Sequence, residues 1–528
     1  MTRKTLSIGL ICFFSASVAF AEPTIEDQLS AFEKDSKAFM NQPPIRLPVQ
    51  NADEAFGSLF SIPQIKDKDY VTQRIELYKR SLKLNSKDGT EVTLENLLDG
   101  RAADLANDRA EHLVVIPQNE MLTNLNQIEN QGLLSAELDE SPWSDNYWPI
   151  YQGILGARYG DRSFPENEDW MVNFNYTETK PFSEYLGDRQ PRASSVDLLS
   201  PAEKYDILVG DKEMGLTKAM WVQGRSYYDN GGKVESWMGI CHGWAPASFM
   251  MNRPNNAVDV MAADGKTKIK FYPSDIKALA SLLWAETSPR VNFAGGRCNT
   301  KNPKMDKNGR IKDQNCFDTN PRTWHLAMVN QIGVAKKSFV MDATFDYEVW
   351  NQPVYKYSYT YFNPITKKST RTLEGAMVKL SDYKDDKFAD YRNSRGNYVV
   401  GVAMEAYYVV ETEPSHRTSD SPEMDAIKKV RYLYDLEVDK KGEIYGGEWY
   451  QNIHPDFLWT PRQDAKALSL IESDYPRIRK QLEKTTWSGN EPLPEVYRES
   501  AISVSPERQP LARIVEQLID ISRLGQAR

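Results

Sequence analysis

Helical and strand patterns are segregated along this chain of 528 residues, and that segregation limits the folds open to it. Ser200-Pro201-Ala202-Glu203 supplies an N-cap serine, a proline at the first helical position and a glutamate that reaches back, and Gly210 can end the helix so begun. Ser274 is placed to cap a second helix over 275–286, with Ile276, Leu279, Ala280 and Leu283 on one face. After Trp324 strand signals dominate, at 355–362, 398–410 and 430–438. A last helix over 511–524 gathers Leu511, Ile514, Val515, Leu518 and Ile521 on one side, as a docking helix does. Helices first and strands later give an α+β class.

Apolar residues make up 40% of the chain and charged residues 26%, which supports a buried core and excludes a wholly disordered chain. The net charge is −9 and the basic residues are scattered, so no stripe exists to neutralise a phosphate backbone, and nucleic acid is excluded as a partner. Arg3 and Lys4 precede an apolar run over 6–14, followed by Ala19-Phe20-Ala21. This is the pattern of a secretory signal over 1–21, cut before Glu22; the apolar run is short for a membrane anchor. A lipid-anchored start at Cys12 is disfavoured by bulky Ile11. The mature protein is therefore expected to be secreted or periplasmic, with no membrane in its mature form. Residues 22–140 are polar, with helical stretches at 25–40 and 94–110, and read as an N-terminal helical extension or pro-segment. Dense aromatics from Trp143 onward mark the main domain, 141–470, and 471–528 reads as a C-terminal helical tail. No repeat of fixed period is present.

Export makes the cysteines informative. Cys12 leaves with the signal, so Cys241, Cys298 and Cys316 remain, and three cannot all pair. Cys298 and Cys316 flank a polar segment with Gly295-Gly296 before it and Asn308-Gly309 inside it, a loop that a disulfide could close with a gain of about 3 kcal/mol. Cys241 is then the odd thiol, either a buried small hydrophobe or a nucleophile. It lies in Gly239-Ile240-Cys241-His242-Gly243-Trp244-Ala245-Pro246, before a helical-looking run. A helix N-terminus favours the thiolate, but Pro246 requires the helix to begin near His242 or later, or to kink.

A nucleophilic thiol needs a base, and the chain holds five histidines. They are His112, His242, His325, His416 and His454. His242 adjoins the cysteine, and consecutive side chains diverge on a helix. His325 reads as one face of a strand, with Trp324, Leu326 and Met328 on the other. If that strand forms a hairpin with 338–342, centred between Gly333 and Val334, Asp342 falls opposite His325 and can orient the imidazole. Asp346 is a rival orienter. The chemistry is then that of nucleophile, base and orienter, with Cys241, His325 and Asp342 in those roles. The oxyanion would meet the backbone N–H of Cys241 and an indole, Trp237 or Trp221. Each residue also has an ordinary structural reading: His325 as a hydrogen-bonded core or surface residue, Asp342 as a strand end, Cys241 as an inert core thiol.

The stretch 239–246, Thr323-Trp324-His325, and Met341-Asp342-Ala343-Thr344 followed by Glu348-Val349-Trp350-Asn351-Gln352-Pro353-Val354 resemble the transglutaminase elicitor family. Tyr147-Trp148-Pro149, Gly446-Gly447-Glu448-Trp449 and His454-Pro455-Asp456-Phe457-Leu458-Trp459 are similar to family segments as well. The similarity spans about 142–460. It implies a papain-like cysteine core and protein-glutamine gamma-glutamyltransferase activity, with Cys241, His325 and Asp342 at the catalytic positions. Proteins bearing glutamine and lysine would be the substrates and partners. The chemistry requires no cofactor and the sequence assigns no metal site, although family activity is associated with calcium. Asp306-Lys307-Asn308-Gly309 lacks the carboxylate spacing of a calcium loop and reads as an Asn-Gly turn. Residues 349–354 read as an exposed strand and turn ended by Pro353, with Trp350 lining an acyl-donor cleft as the functional alternative. A cysteine protease or glutamine deamidase would use the same triad, and a non-enzymatic surface protein would need none of it.

Overall fold

The computed structural model describes residues 22–49, 108–182, 193–287, 289–296, 300, 303–313, 316, 319–343 and 348–524. The expected signal, most of the stretch at 94–110, Cys298 and Asp346 lie outside them.

In chain order the strands are β1 (Ile45–Leu47), β2 (Ser135–Glu137), β3 (Val258–Met261), β4 (Lys268–Phe271), β5 (Val291–Gly295), β6 (Phe339–Asp342) and β7 (Asn351–Phe362). They continue as β8 (Ser369–Thr370), β9 (Val378–Lys379), β10 (Tyr398–Val410), β11 (Ala426–Val438), β12 (Ile444–Trp449) and β13 (Phe457–Pro461). Among the described residues β3 and β4 form their own hairpin, and the other strands make an eleven-stranded sheet whose main path runs β1-β11-β10-β7-β6-β13-β5. The three long strands expected from the sequence are its centre, and β10 and β11 pair along their whole thirteen-residue lengths. The outcome is the mixed helix-and-sheet class expected from the sequence. Strands from both sides of residue 140 share this sheet: β1 pairs with β11 and β2 with β7.

Because side chains alternate along a strand, the register defines two faces. Tyr359, Met404 and Tyr432 stand side by side on the first, and Ser358, Glu405 and Arg431 on the second. The first face is buried in one apolar cluster with Trp324, Leu326, Ile332, Phe339, Met341, Val354 and Leu458. The second is covered in two pieces. Over one end lie α1 (Ile25–Lys34) and α2 (Ser36–Met40), whose Leu29, Phe32, Phe39 and Met40 pack on Phe362, Ala403, Leu433 and Tyr450. Over the other end lie helices α3 (Pro201–Val209), α4 (Gly215–Gly231), α5 (Cys241–Met250) and α6 (Pro273–Glu286), with α8 (Ala512–Leu524) docked last; α7 (Pro321–Ala327) packs on the first face instead, through Trp324 and Leu326. Of these, α3, α4, α5, α6 and α8 share a cluster with Tyr355 and Val409 of the sheet.

Local chemistry accounts for the helix ends. The helical stretch at 25–40 divides at Asp35, whose carboxylate accepts the Ala38 N–H and caps α2. Ser200 and Glu203 form the expected capping box of α3, and Gly210 takes the left-handed conformation after it at φ +75°. The second helix begins one step earlier than expected: Pro273 is its first residue, and Asp275 accepts the Tyr272 N–H, so Ser274 is inside α6. Gly243 lets α5 press on α6, since a Cβ there would lie 2.2 Å from the Ser281 carbonyl oxygen.

The largest departure is at His325. The expected strand is α7, followed by a π-helical segment over Met328–Val334. Asn320 accepts the Arg322 N–H and Pro321 fills the first helical position, a start signal stronger than the two-residue alternation that suggested a strand. The hairpin pairing of His325 with Asp342 therefore does not form; Asp342 pairs instead with Asn351 across β6 and β7.

Candidate active site

Cys241 is the first residue of α5, so its sulfur lies where the unpaired N–H groups of a helix end gather. Pro246 is accommodated inside this helix, which starts at the cysteine and not after it. Alternation along the neighbouring strands brings three further side chains to the same place. Phe339, Met341, Val354 and Leu458 all belong to the first face, so Asp342, Asn351 and Trp459 turn to the second, where α5 packs.

Asn351 Nδ2 donates to Cys241 Sγ at 3.5 Å, and the Asn351 backbone N–H reaches the same sulfur. The thiol in turn donates to the Val349 carbonyl at 3.7 Å. Trp459 Nε1 donates to Asn351 Oδ1 at 2.8 Å. The carboxylates that act on the sulfur are Glu411, just beyond β10, and Asp342. Asp342 Oδ1 accepts the Trp350 N–H at 3.0 Å. Glu411 Oε1 accepts from Gln352 Nε2 at 2.8 Å, and burial pushes its carboxyl up.

Cys241 is 5% exposed. Burial, against the two Asn351 donors and with help from both carboxylates, pushes its thiol up to about 11. The neutral thiol therefore dominates at pH 7. Alkylation of Cys241 by iodoacetamide should rise about tenfold per pH unit between pH 7 and 10, since only the thiolate attacks; a plateau below pH 9 would contradict this environment. The unfolded chain loses this proton first, so the same shift lowers stability as pH rises from the ordinary thiol value towards 11.

No histidine stands beside the sulfur. His325 is on the first face of the sheet, with Nδ1 2.9 Å from the Tyr434 hydroxyl and its ring edge-on to Tyr359. Burial pushes its imidazole down to about 3. The sheet itself thus separates the expected base from the expected nucleophile. His242 is half-buried, and desolvation and Arg508 push its imidazole down to about 4. His454 stacks on Trp449 and His416 on Tyr272. His112 is exposed on a short helix over Ala110–Leu113. Of the expected triad, the structure brings Cys241 and Asp342 together and leaves His325 apart.

The two expected indole donors are also elsewhere. Trp237 Nε1 donates to Glu235 at 2.7 Å. Trp221 packs against Gly153 and Gly156, between Trp170 and Phe174. The second donor at the site is Asn351. It lies within the 349–354 motif, which is not an exposed strand: residues 351–354 are buried, and Val349 and Trp350 are partly open, with Trp350 5.4 Å from the Tyr147 ring. Its likeness to the family segment had marked that motif. Trp459, 108 residues further on, stood in another family-like segment, with nothing local to tie it to Cys241.

Among the described residues no three His, Cys, Asp or Glu side chains are grouped to hold a metal ion. The Asp306 oxygens are taken by the Asn308 and Arg310 N–H groups and the Tyr391 hydroxyl, and Gly309 turns with φ +99°. That donor set does not fit calcium. No helix among the described residues is long and apolar enough to cross a membrane.

Comparison with solved structures finds the crystal structure of the GP42 transglutaminase from Phytophthora sojae. It is 20% identical, with a TM-score of 0.43, over 74% of this chain and 94% of that one. No curated protein matches the sequence. The profile of the transglutaminase elicitor family matches residues 112–487. The chain therefore belongs to the transglutaminase elicitor family, and the match includes Cys241, Asp342, Asn351 and Trp459.

Proposed function

We propose that this protein is a thiol acyltransferase of transglutaminase type, with Cys241 as nucleophile. The observation that carries the reading is the convergence of a helix N-terminus and two Asn351 donors on one sulfur. Each of these favours the negative charge that sulfur carries in attack and as a leaving group. The packing of α5 on β6 and β7 is the helix-on-sheet support that a papain-like core requires.

In the forward step the sulfur attacks a glutamine carboxamide carbon. Its proton passes to Glu411, a carboxylate that acts on the sulfur and whose carboxyl burial pushes up. The C–N bond breaks, the departing nitrogen takes the proton back, and ammonia leaves a thioester. A lysine amine then attacks the thioester, the C–S bond breaks and the thiol is restored with an isopeptide bond formed. The test is uptake of a labelled primary amine into a glutamine-bearing protein, with Cys241→Ala beside it. Ammonia release without uptake would identify a hydrolase.

A second reading, a secreted protein with a silent thiol, is favoured by one observation: no imidazole reaches a sulfur that is almost closed to solvent. Neither amine uptake nor ammonia release would establish it.

The same reading keeps Cys298 and Cys316 paired in the secreted protein. Cys241 is the free cysteine among the described residues, and Cys316 is buried. Intact mass under denaturing, non-reducing conditions should show one free thiol in the mature chain; three would discard the bridge.

A further inference from the structure

We propose that Trp459 is a positioning residue for Cys241, acting through Asn351. The inference rests on Cys241 being the reactive group, and it names what fixes that group's surroundings.

A carboxamide has two ends of opposite character: the NH2 end stabilises a nearby thiolate and the oxygen end opposes it. In a bare pocket the amide could present either. Here the indole N–H of Trp459 sits 2.8 Å from one end. An indole can only donate, so that end must be the oxygen, and the NH2 is turned to the sulfur at 3.5 Å. The frame that holds this chain of contacts is the sheet. Trp459 pairs with Val340 on β6, and Val340 pairs with Pro353 on β7. Leu458 is buried in the first face, which sends Trp459 to the second beside Asn351. The indole is half-buried, and on its other side β5 places Phe293 opposite it.

The charged groups around the sulfur are Asp342 from β6 and Glu411 from the segment after β10. From the helices, His242 is held by the Ala285 backbone, and Glu286 of α6 is paired with Arg508. A carboxylate has no proton to donate to Asn351 Oδ1, and the donor this oxygen accepts is the Trp459 indole, which sets the orientation of the amide.

The experiment uses the full chain. Iodoacetamide alkylation of Cys241 is followed against pH in the wild type, Trp459→Phe, Trp459→His, Asn351→Ala and Trp459→Phe with Asn351→Ala. Trp459→Phe keeps a ring and loses the donor, so alkylation at pH 9 should fall about tenfold, as for loss of one hydrogen bond to a charged group. Trp459→His retains a ring N–H and should recover most of that loss. Asn351→Ala should fall at least as far, and adding Trp459→Phe to it should change nothing more. An unchanged pH profile in Trp459→Phe, equal losses in the Phe and His variants, or additive losses in the double variant would each overturn the proposal. If Trp459→Phe does not fold, the His variant and Asn351→Ala still decide it. Because alkylation needs no acyl donor, the expected pattern without amine uptake would sink the transferase reading and leave this one standing.

Discussion

Cys241→Ala is expected to lose amine incorporation by about 10⁴-fold or more, while His325→Gln keeps it within about tenfold per folded molecule. The two outcomes follow from the two faces of the sheet. Removal of the sulfur removes the only atom that can form the thioester, and nothing beside it can substitute: Asn351 is an amide, and the neighbouring carboxylates are held by Gln352 and the Trp350 N–H. His325 is bonded to the Tyr434 hydroxyl under the opposite face. Its loss should appear in stability, since a buried hydroxyl is left without its partner. The measurement is the initial rate of labelled-amine uptake, normalised to folded protein. A His325→Gln loss as deep as that of Cys241→Ala would show that the imidazole reaches the sulfur in the working enzyme, and would remove Glu411 from the proposed step.

Lys204→Met is expected to cost about 3–5 kcal/mol of stability, the largest single effect we foresee on the fold. Lys204 on α3 and Asp275 on α6 lie 2.7 Å apart with side-chain exposures of 0% and 0%. The same carboxylate accepts the Tyr159 hydroxyl and the Tyr272 N–H, both at 2.8 Å, so it is fully engaged and cannot turn to water when its cation goes. A double replacement, Lys204→Met with Asp275→Leu, should recover a large part of the loss, because a buried pair exchanged for apolar groups of similar volume is close to neutral. The Tyr159 and Tyr272 donors would still be orphaned, so recovery should be incomplete. Urea midpoints of the single and double variants check this; a single-variant cost below about 1 kcal/mol would show that the pair is not sealed from solvent.

Much of this fold was legible in the chain because its signals were local. The Ser200 to Gly210 helix carries its own start and stop, and β10 and β11 are long runs of strand-forming residues. The Cys241 turn was legible for the same reason. What misled was also local: the alternation around His325 imitates a strand, while Asn320-Pro321, four residues earlier, dictates a helix. Alternation over a few residues is weak evidence beside a capped start. Asn351 and Trp459 stood in segments similar to the family, but their contact could not be read from the chain. Asn351 and Trp459 meet only because β6 lies between β7 and β13, and strand order in a sheet is settled by packing across the whole domain.

The first two helices have a practical bearing on how this protein is handled. They, with β1, rest on aromatic residues at the end of the sheet away from Cys241. A shortened recombinant version beginning after residue 49 would hand Phe362, Phe388 and Tyr450 to water as one contiguous greasy patch, an invitation to aggregate. Expression trials that trim the N-terminus should therefore watch solubility before they interpret any change in rate.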